Sequence, residues 1–271
     1  MTKKEIAFTK VVKEYYRRHK RRALPWRKTK DPYRILVSEI MLQQTQVDRV
    51  APKYELFLRT FPTLEILAKA PLGAVLRMWQ GLGYNRRAKM LHECAKIVHE
   101  KYDGVFPKEH AALMALPGVG HYTAGAVMAF AFNKAVPLIE TNIRSVYLHH
   151  FFSDAYEVDD RDILHCVEKT LDTKNPRTWY YALMDYGSFI KKMYGNPNQR
   201  SRQHVRQSPF KGSDREIRGV IIRLLSEGMH TRTALLTALR QFSDIRVDAQ
   251  LHTLIKEKLI TKRGRLYTLA S

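Results

Sequence analysis

The chain has 271 residues, 45% of them hydrophobic, with 47 Lys or Arg against 26 Asp or Glu and a formal charge of +21. That is ordinary globular composition with room for a proper core, and a basic surplus that points to a polyanionic partner. Two cysteines, Cys94 and Cys166, have no metal-ligand spacing and argue against a disulfide framework. No apolar run approaches the ~20 residues of a membrane span. Residues 1–22, with nine Lys/Arg and two Glu, are too charged for a signal-peptide core. The expectation is an intracellular nucleic-acid binder, in the cytoplasm or nucleoid, with no membrane partner.

Nearly every segment reads as helix. A basic helix covers 4–19. "LPWRKTKDPY" is an extended connection broken by Pro25 and Pro32, with Asp31 as N-cap and Pro32 opening the next helix. That helix is expected over 33–48, with Leu36, Ile40 and Val47 on one face. Further helical patterns cover 53–60, 64–69, 72–80, 86–102, 108–115, 121–132, 142–151, 161–172 and 178–190. Pro52, Pro62, Pro71, Pro107, Pro117, Pro137 and Pro176 read as breakers between them. Residues 191–213 hold six Lys/Arg, no acid and almost nothing to bury, so they read as a linker. Helices at 214–227, 231–241 and 247–258 follow. "LITKRGRLYTLA" then reads as a hairpin turning at Arg263-Gly264. Together these suggest a winged helix, with Leu235, Leu236 and Leu239 on the apolar side of its middle helix. Arg240, Lys256, Lys258, Lys262, Arg263 and Arg265 are its candidate DNA contacts. Strand patterns are nearly absent before residue 250, and no internal repeat occurs.

"LPGVGHYTAGAV" (116–127) sets a glycine-rich turn before a helix. Such a turn exposes unpaired N–H groups at the positive end of the helix dipole. Gly118 and Gly120 allow backbone geometries closed to other residues and leave room for a phosphate. The turn would grip a phosphodiester through Gly118, Val119, Gly120 and His121 without reading sequence. Taken alone, it fits a plain helix–helix turn equally well.

Here the chain resembles a family. "LPGVGHYTAGA" looks like the helix-hairpin-helix of endonuclease III-like DNA glycosylases. "LPWR", "DPYRILVSEIMLQQTQV", "GLGYNRRAKMLH" and "ALMDYG" are similar to the adenine glycosylase (MutY) branch, in the same order over residues 24–190. The resemblance implies an all-α, two-lobed fold with the winged-helix-like domain appended. One lobe would be 1–28 with 134–212; the other would be 29–133, containing the motif at 112–132; the third piece would be 213–271. It implies base excision: a nucleotide is flipped out of duplex DNA and its N-glycosidic bond is broken. Gln43 or Gln44 matches the family's wedge. Tyr84 matches a tyrosine that inserts near the partner base. Arg27, Tyr181 and Asp185 are expected at the base pocket.

Breaking that bond requires protonation of the leaving base and stabilisation of the sugar cation, as in two-carboxylate glycoside hydrolysis. Glu39, in "VSEIML", corresponds to the general acid; apolar neighbours would raise its pKa and keep it protonated. In "AVPLIETNIRSV" the family has an aspartate where this chain has Glu140. Glu140 is expected to be ionised at a helix start and to stabilise the oxocarbenium ion or trap it covalently before water attacks, and Asn142 to orient it or the water. The change adds about 1.5 Å of reach, against a cost of about a hundredfold in rate for a misplacement near 1 Å. Tyr122 stands where lyase members carry a lysine, which implies a monofunctional enzyme because no Schiff base can form there.

Two family features are absent from this sequence. Residues 186–213 contain no cysteine, so no 4Fe–4S cluster and no other metal centre is expected. Lys191, Lys192, Arg200, Arg202 and Arg206 would serve as phosphate contacts instead, and Trp179, Tyr180, Leu183 and Phe189 would pack this region. A monovalent cation at the hairpin is a further candidate ligand. The family's larger 8-oxoguanine-sensing domain is replaced by the winged-helix pattern. The expected partner is duplex DNA with a mismatch or lesion, bound by a monomer, and the expected base is adenine opposite 8-oxoguanine or guanine. Two alternatives stand beside it: removal of mismatched thymine or uracil or of a damaged base, and non-catalytic binding of DNA structure.

Overall fold

The computed structural model describes residues 1–21, 23–205 and 207–270; Arg206 therefore lies outside the described residues. In chain order the helices are α1 (Lys3–His19), α2 (Pro32–Leu42), α3 (Val47–Thr60), α4 (Leu64–Lys69), α5 (Leu72–Met78), α6 (Arg86–Lys101), α7 (His110–Met114), α8 (His121–Phe130), α9 (Thr141–Phe151), α10 (Asp160–Thr170), α11 (Pro176–Tyr194), α12 (Asp214–Glu227), α13 (Arg232–Ala238) and α14 (Asp244–Lys256). Three short strands join them: β1 (His230–Thr231), β2 (Ile260–Arg263) and β3 (Leu266–Leu269). No described helix is long and apolar enough to cross a membrane.

The contacts divide the chain into two compact units. The first comprises Met1–Leu36, Pro107–Ala115 and Val119–Arg206; the second comprises Val37–Phe106, Leu116–Gly118 and Gln207–Ser271. In the first, α9 packs along α11, which also meets α1 and α8. Its core is aromatic: Phe8 lies 5.1 Å from Tyr147, 5.0 Å from Phe151 and 6.1 Å from Trp179, ring to ring. Trp179, Tyr180 and Leu183 are buried as expected. Phe189 is half-buried and packs in a surface cluster with Tyr15, Tyr186 and Tyr194.

In the second unit α4, α5 and α6 enclose Phe57, Leu67, Leu76, Trp79 and Leu91, all buried. The C-terminal part has the helix–strand–helix–helix–hairpin order of a winged helix, with an antiparallel sheet ordered β1-β3-β2. Ile260 pairs with Leu269 and Arg263 with Leu266, so the turn falls on Gly264-Arg265, one residue later than expected. Ile217, Ile221, Leu235, Leu239, Leu251 and Leu254 form its core, while Leu236 is half-buried. The six basic residues expected at this domain's DNA face are all exposed. Gly73 in α5 brings the end of β3 close: a Cβ there would lie 3.0 Å from the Ala270 carbonyl oxygen.

Three element boundaries differ from the sequence reading. The helix expected over 33–48 stops at Leu42 and resumes as α3, with Gln44 at φ +56° between them. Pro52 lies inside α3 rather than before it. It removes one backbone donor, and burial of Val50, Tyr54 and Phe57 on the same helix offsets that loss. The segment read as a linker is structured at its start. Helix α11 continues to Tyr194, a 3-10 turn follows at Pro197–Arg200, and Pro197, Asn198 and Ser201 are buried. Asn198 Nδ2 donates to Ser145 Oγ (2.7 Å) and to the Thr141 carbonyl (3.2 Å), which fastens this turn to α9.

Candidate active site

In the first unit, Glu140 is the N-cap of α9. Its Oε1 accepts the backbone N–H groups of Asn142 (2.7 Å) and Ile143 (2.9 Å), and Oε2 accepts the Asn142 side-chain amide (3.1 Å). Asn142 thus holds the carboxylate through both its backbone and its side chain. Burial pushes the Glu140 carboxyl above the usual carboxylate range, and the backbone donors, the nearby Lys191 ammonium and the Asn142 amide pull it back only in part. Burial likewise pushes the Lys191 ammonium down while Glu140 holds it up. Lys191, expected on phosphate, therefore sits within electrostatic reach of the acid.

Helix α9 approaches α11 closely because Gly187 has no side chain. A Cβ at Gly187 would lie 2.1 Å from the Asn142 carbonyl oxygen and 2.9 Å from its Cα. The "ALMDYG" glycine therefore fixes where Asn142, and with it Glu140, stands.

Arg27, Tyr181 and Asp185 come together, as the sequence reading grouped them. Arg27 makes two 2.8 Å bonds to the Asp185 carboxylate, which also accepts the Arg21 backbone N–H at 3.1 Å and forms an ion pair with the Arg21 guanidinium at 3.0 Å. The Arg27 guanidinium lies 4.6 Å from the Tyr181 ring centroid, and that ring stacks on Phe130 at 4.6 Å and 4°. The result is a cation–ring–ring stack whose base is a buried, doubly paired aspartate. Tyr122 is half-buried on α8, His121 is exposed beside it, and Val119 is buried. Arg200 is committed to the chain itself: it donates to the Leu148 carbonyl (3.1 Å) and to that of Ser153, at the end of α9. Arg202 is exposed, 3.6 Å from Asp159.

In the second unit, Glu39 lies on α2 and is 6% exposed, between buried Ser38 and Ile40. Past the end of that helix, Gln44 takes φ +56°, and Tyr84 takes φ +49° in the loop before α6. A left-handed non-glycine residue costs ~1–2 kcal/mol, so the surroundings must hold both. Arg87 does this, and the sequence reading passed over it. Its guanidinium donates to the carbonyls of Ile40 (2.7 Å), Met41 (3.0 Å), Leu82 (3.1 Å) and Gly83 (3.1 Å), to the Gln43 carbonyl, and to Thr45 Oγ1 (3.1 Å). One half-buried cation thus caps the end of α2 and ties down the Tyr84 loop. Burial pushes its pKa down to about 10, so it stays charged at neutral pH. The available signal was the second arginine of "GLGYNRR", which reads equally well as a phosphate contact. Arg87→Met is expected to destabilise by about 3 kcal/mol, since bonds to a charged donor are worth ~1.5–3 kcal/mol each, and to weaken duplex binding. Urea unfolding and a duplex titration check the two effects.

At the glycine-rich turn, Gly118 has φ +75°, and a Cβ there would lie 2.8 Å from Met90 Cβ. Glycine is required at that position. The same expectation for Gly120 is corrected: its φ of −86° and ψ of −178° are open to any residue, and it serves as the N-cap of α8. The space beside it is empty of protein atoms within 4 Å.

An iron–sulfur cluster does not fit these residues. It takes four thiolates, and the chain has two cysteines. Cys94 is buried, its thiol pushed up to about 12, and Cys166 belongs to the other unit.

A family model described as "HhH-GPD superfamily base excision DNA repair protein" matches residues 37–169. The adenine DNA glycosylase of Mycolicibacterium smegmatis is 38% identical over 231 residues, covering 77% of each chain. That of Buchnera aphidicola is 35% identical over 189 residues, 68% of this chain and 53% of the relative. A solved thermostable thymine-DNA glycosylase superposes with a TM-score of 0.64 at 29% identity, over 72% of this chain and 91% of that one. The chain belongs to the HhH-GPD superfamily of base excision DNA repair proteins and has its helical fold. It spans about half the length of the Buchnera relative.

Proposed function

We propose that the protein is a monofunctional DNA glycosylase that hydrolyses the N-glycosidic bond of a flipped, mispaired adenine, opposite guanine or 8-oxoguanine. The observation that carries this reading is the housing of Glu140. A half-buried carboxylate at a helix start, gripped by two backbone N–H groups and an amide with an ammonium nearby, is built to face a developing cation. The names of the two relatives at 35–38% identity support adenine as the base.

Glu39 donates a proton to the purine ring nitrogen, and the base leaves neutral. Glu140 stabilises the sugar cation until water adds at C1′, its surplus proton passing to the carboxylate that Glu39 has become, and yields an abasic site. The Glu140 carboxylate must be ionised for this. Its folded-state pKa is raised, so activity should fall on the acid side of a pKa above the ordinary glutamate value. Lys191→Met removes a charge that favours the ionised form, so the acid limb should move to still higher pH. A single-turnover pH profile of both proteins reads this; a shift downward contradicts the assignment.

The protein acts as a monomer on duplex DNA, in the cytoplasm or nucleoid, without an iron–sulfur cluster. A monovalent cation at the 116–120 turn would complete the phosphate grip of Gly118, Val119, Gly120 and His121. Exposed Arg202 and the basic wing residues add to that grip, so affinity falls steeply with salt. The test is a panel of duplexes with adenine opposite 8-oxoguanine or guanine, thymine or uracil opposite guanine, and hypoxanthine, each followed by alkaline cleavage. Product from the first two alone supports the reading. Product from thymine or uracil alone supports the second reading, which the similarity to a thymine-DNA glycosylase structure favours. Binding without product makes the protein a binder. Borohydride treatment should trap no protein–DNA adduct, because Tyr122 offers no amine.

A further inference from the structure

Gln44 and Tyr84, two left-handed residues of the second unit, are held from beneath by Arg87. Their side-chain tips are held from the other side by residues at the start of the C-terminal segment. Arg215 Nη1 donates to the Tyr84 hydroxyl at 2.8 Å, and its guanidinium carbon lies 5.6 Å from the Tyr84 ring centroid. Gln207 Nε2 donates to the same hydroxyl and, at 3.3 Å, to Gln44 Oε1. Arg215 is itself fixed, since Nη2 donates to the Ser208 carbonyl (2.6 Å), Ser208 Oγ (3.2 Å) and the Pro209 carbonyl (3.3 Å).

The helix that carries Arg215 is anchored as well. Arg218 pairs with Glu257, and Lys89 of α6 donates to the Glu257 carbonyl at 2.7 Å. The path from the winged helix to the loop ahead of α6 is therefore continuous and hydrogen-bonded. It ends on Tyr84 and on Gln44, which the resemblance places at the duplex, Gln44 as one of two wedge candidates beside Gln43.

We propose that Arg215 and Gln207 are positioning residues that set which base the enzyme accepts opposite the excised one. The clause that Tyr84 and Gln44 enter the duplex rests on the glycosylase reading; the rest stands on the contacts just given. The chemistry commits the preference. Arg215 has donors and no acceptor, and Gln207 turns its NH₂ toward the same hydroxyl, so the Tyr84 oxygen accepts from both and its own proton is the donor they leave to face the duplex. Donors suit the O6 and N7 acceptor edge of a guanine-type base and reject the amino edge of cytosine. Selectivity built this way is a difference between partners, not a general gain in affinity.

The test measures binding of the full chain to duplexes carrying a stable abasic analogue opposite guanine, 8-oxoguanine, cytosine or thymine. Wild type, Arg215→Met, Arg215→Lys and Gln207→Ala are compared, with melting temperature measured in parallel. Wild type is expected to favour the guanine-type duplexes. Arg215→Met and Gln207→Ala should lose at least tenfold on those and less than twofold on the cytosine and thymine duplexes. Arg215→Lys keeps the charge without the planar fork and should behave like Arg215→Met. Equal losses on every duplex, no loss on any, or a wild type indifferent to the opposite base would overturn the proposal. Because the readout is binding, failure of excision on every duplex sinks the glycosylase reading and leaves this one separately decided.

Discussion

Glu39→Gln should bind duplex DNA as wild type does and turn over about 10²–10⁴-fold more slowly, the usual range for loss of a positioned general acid. The substitution keeps the shape of the side chain and removes the transferable proton. Glu39 is 6% exposed on a helix whose neighbouring Ser38, Ile40 and Met41 are also buried, so its carboxyl is not placed for bulk solvent. That housing has little use in a protein that only grips phosphate. The measurement is a single-turnover rate with enzyme in excess, beside a direct titration of the same duplex. Normal turnover would remove Glu39 from the chemistry. Lost binding would make it structural instead.

Gly187→Ala is expected to cost about 3 kcal/mol or more, at the upper end for overpacking, because the added Cβ would meet backbone rather than a yielding side-chain tip. The Asn142 carbonyl oxygen lies 2.1 Å from that Cβ position and the carbonyl carbon 2.7 Å. Helix α9 must move off α11, and Asn142 and Glu140 move with it. A displacement near 1 Å in a reacting group costs about a hundredfold in rate, so any folded variant should also be slow. Chemical denaturation and turnover of the refolded fraction would both fall. A variant of unchanged stability and rate would show that the two helices can separate without consequence for the acid.

Much of this was legible before the fold. Asp31 and Pro32 announced a helix start, and the Asp31 carboxylate does accept the Tyr33 N–H at 2.9 Å. The winged helix followed from three amphipathic runs and a hairpin, though two-residue β1 was too short to leave a period-2 signal. Glu140 and Asn142 were identified by resemblance and are found bonded to each other. The break after Leu42 was not legible. "MLQQTQVD" contains no glycine or proline, and the cause is Arg87, more than forty residues away, taking the last carbonyls of the helix. The 197–201 turn was hidden for a related reason. A polar residue, Asn198, anchors it through its side-chain NH₂, and hydropathy does not register a buried amide bonded to the rest of the fold. The pull of burial on Glu140 was likewise beyond the sequence, where only the helix start could be seen.

The contact at Gly73 limits how the C-terminal module can be exchanged. The end of β3 rests directly on helix backbone there, with the Leu269 Cβ 3.4 Å from where a side chain would begin. Grafting residues 207–271 onto a host scaffold therefore requires glycine at the receiving position. On a host with even a methyl group there, the transplanted module would sit proud of its seat, and its reach toward the tyrosine loop would be lost before any reading residue was changed.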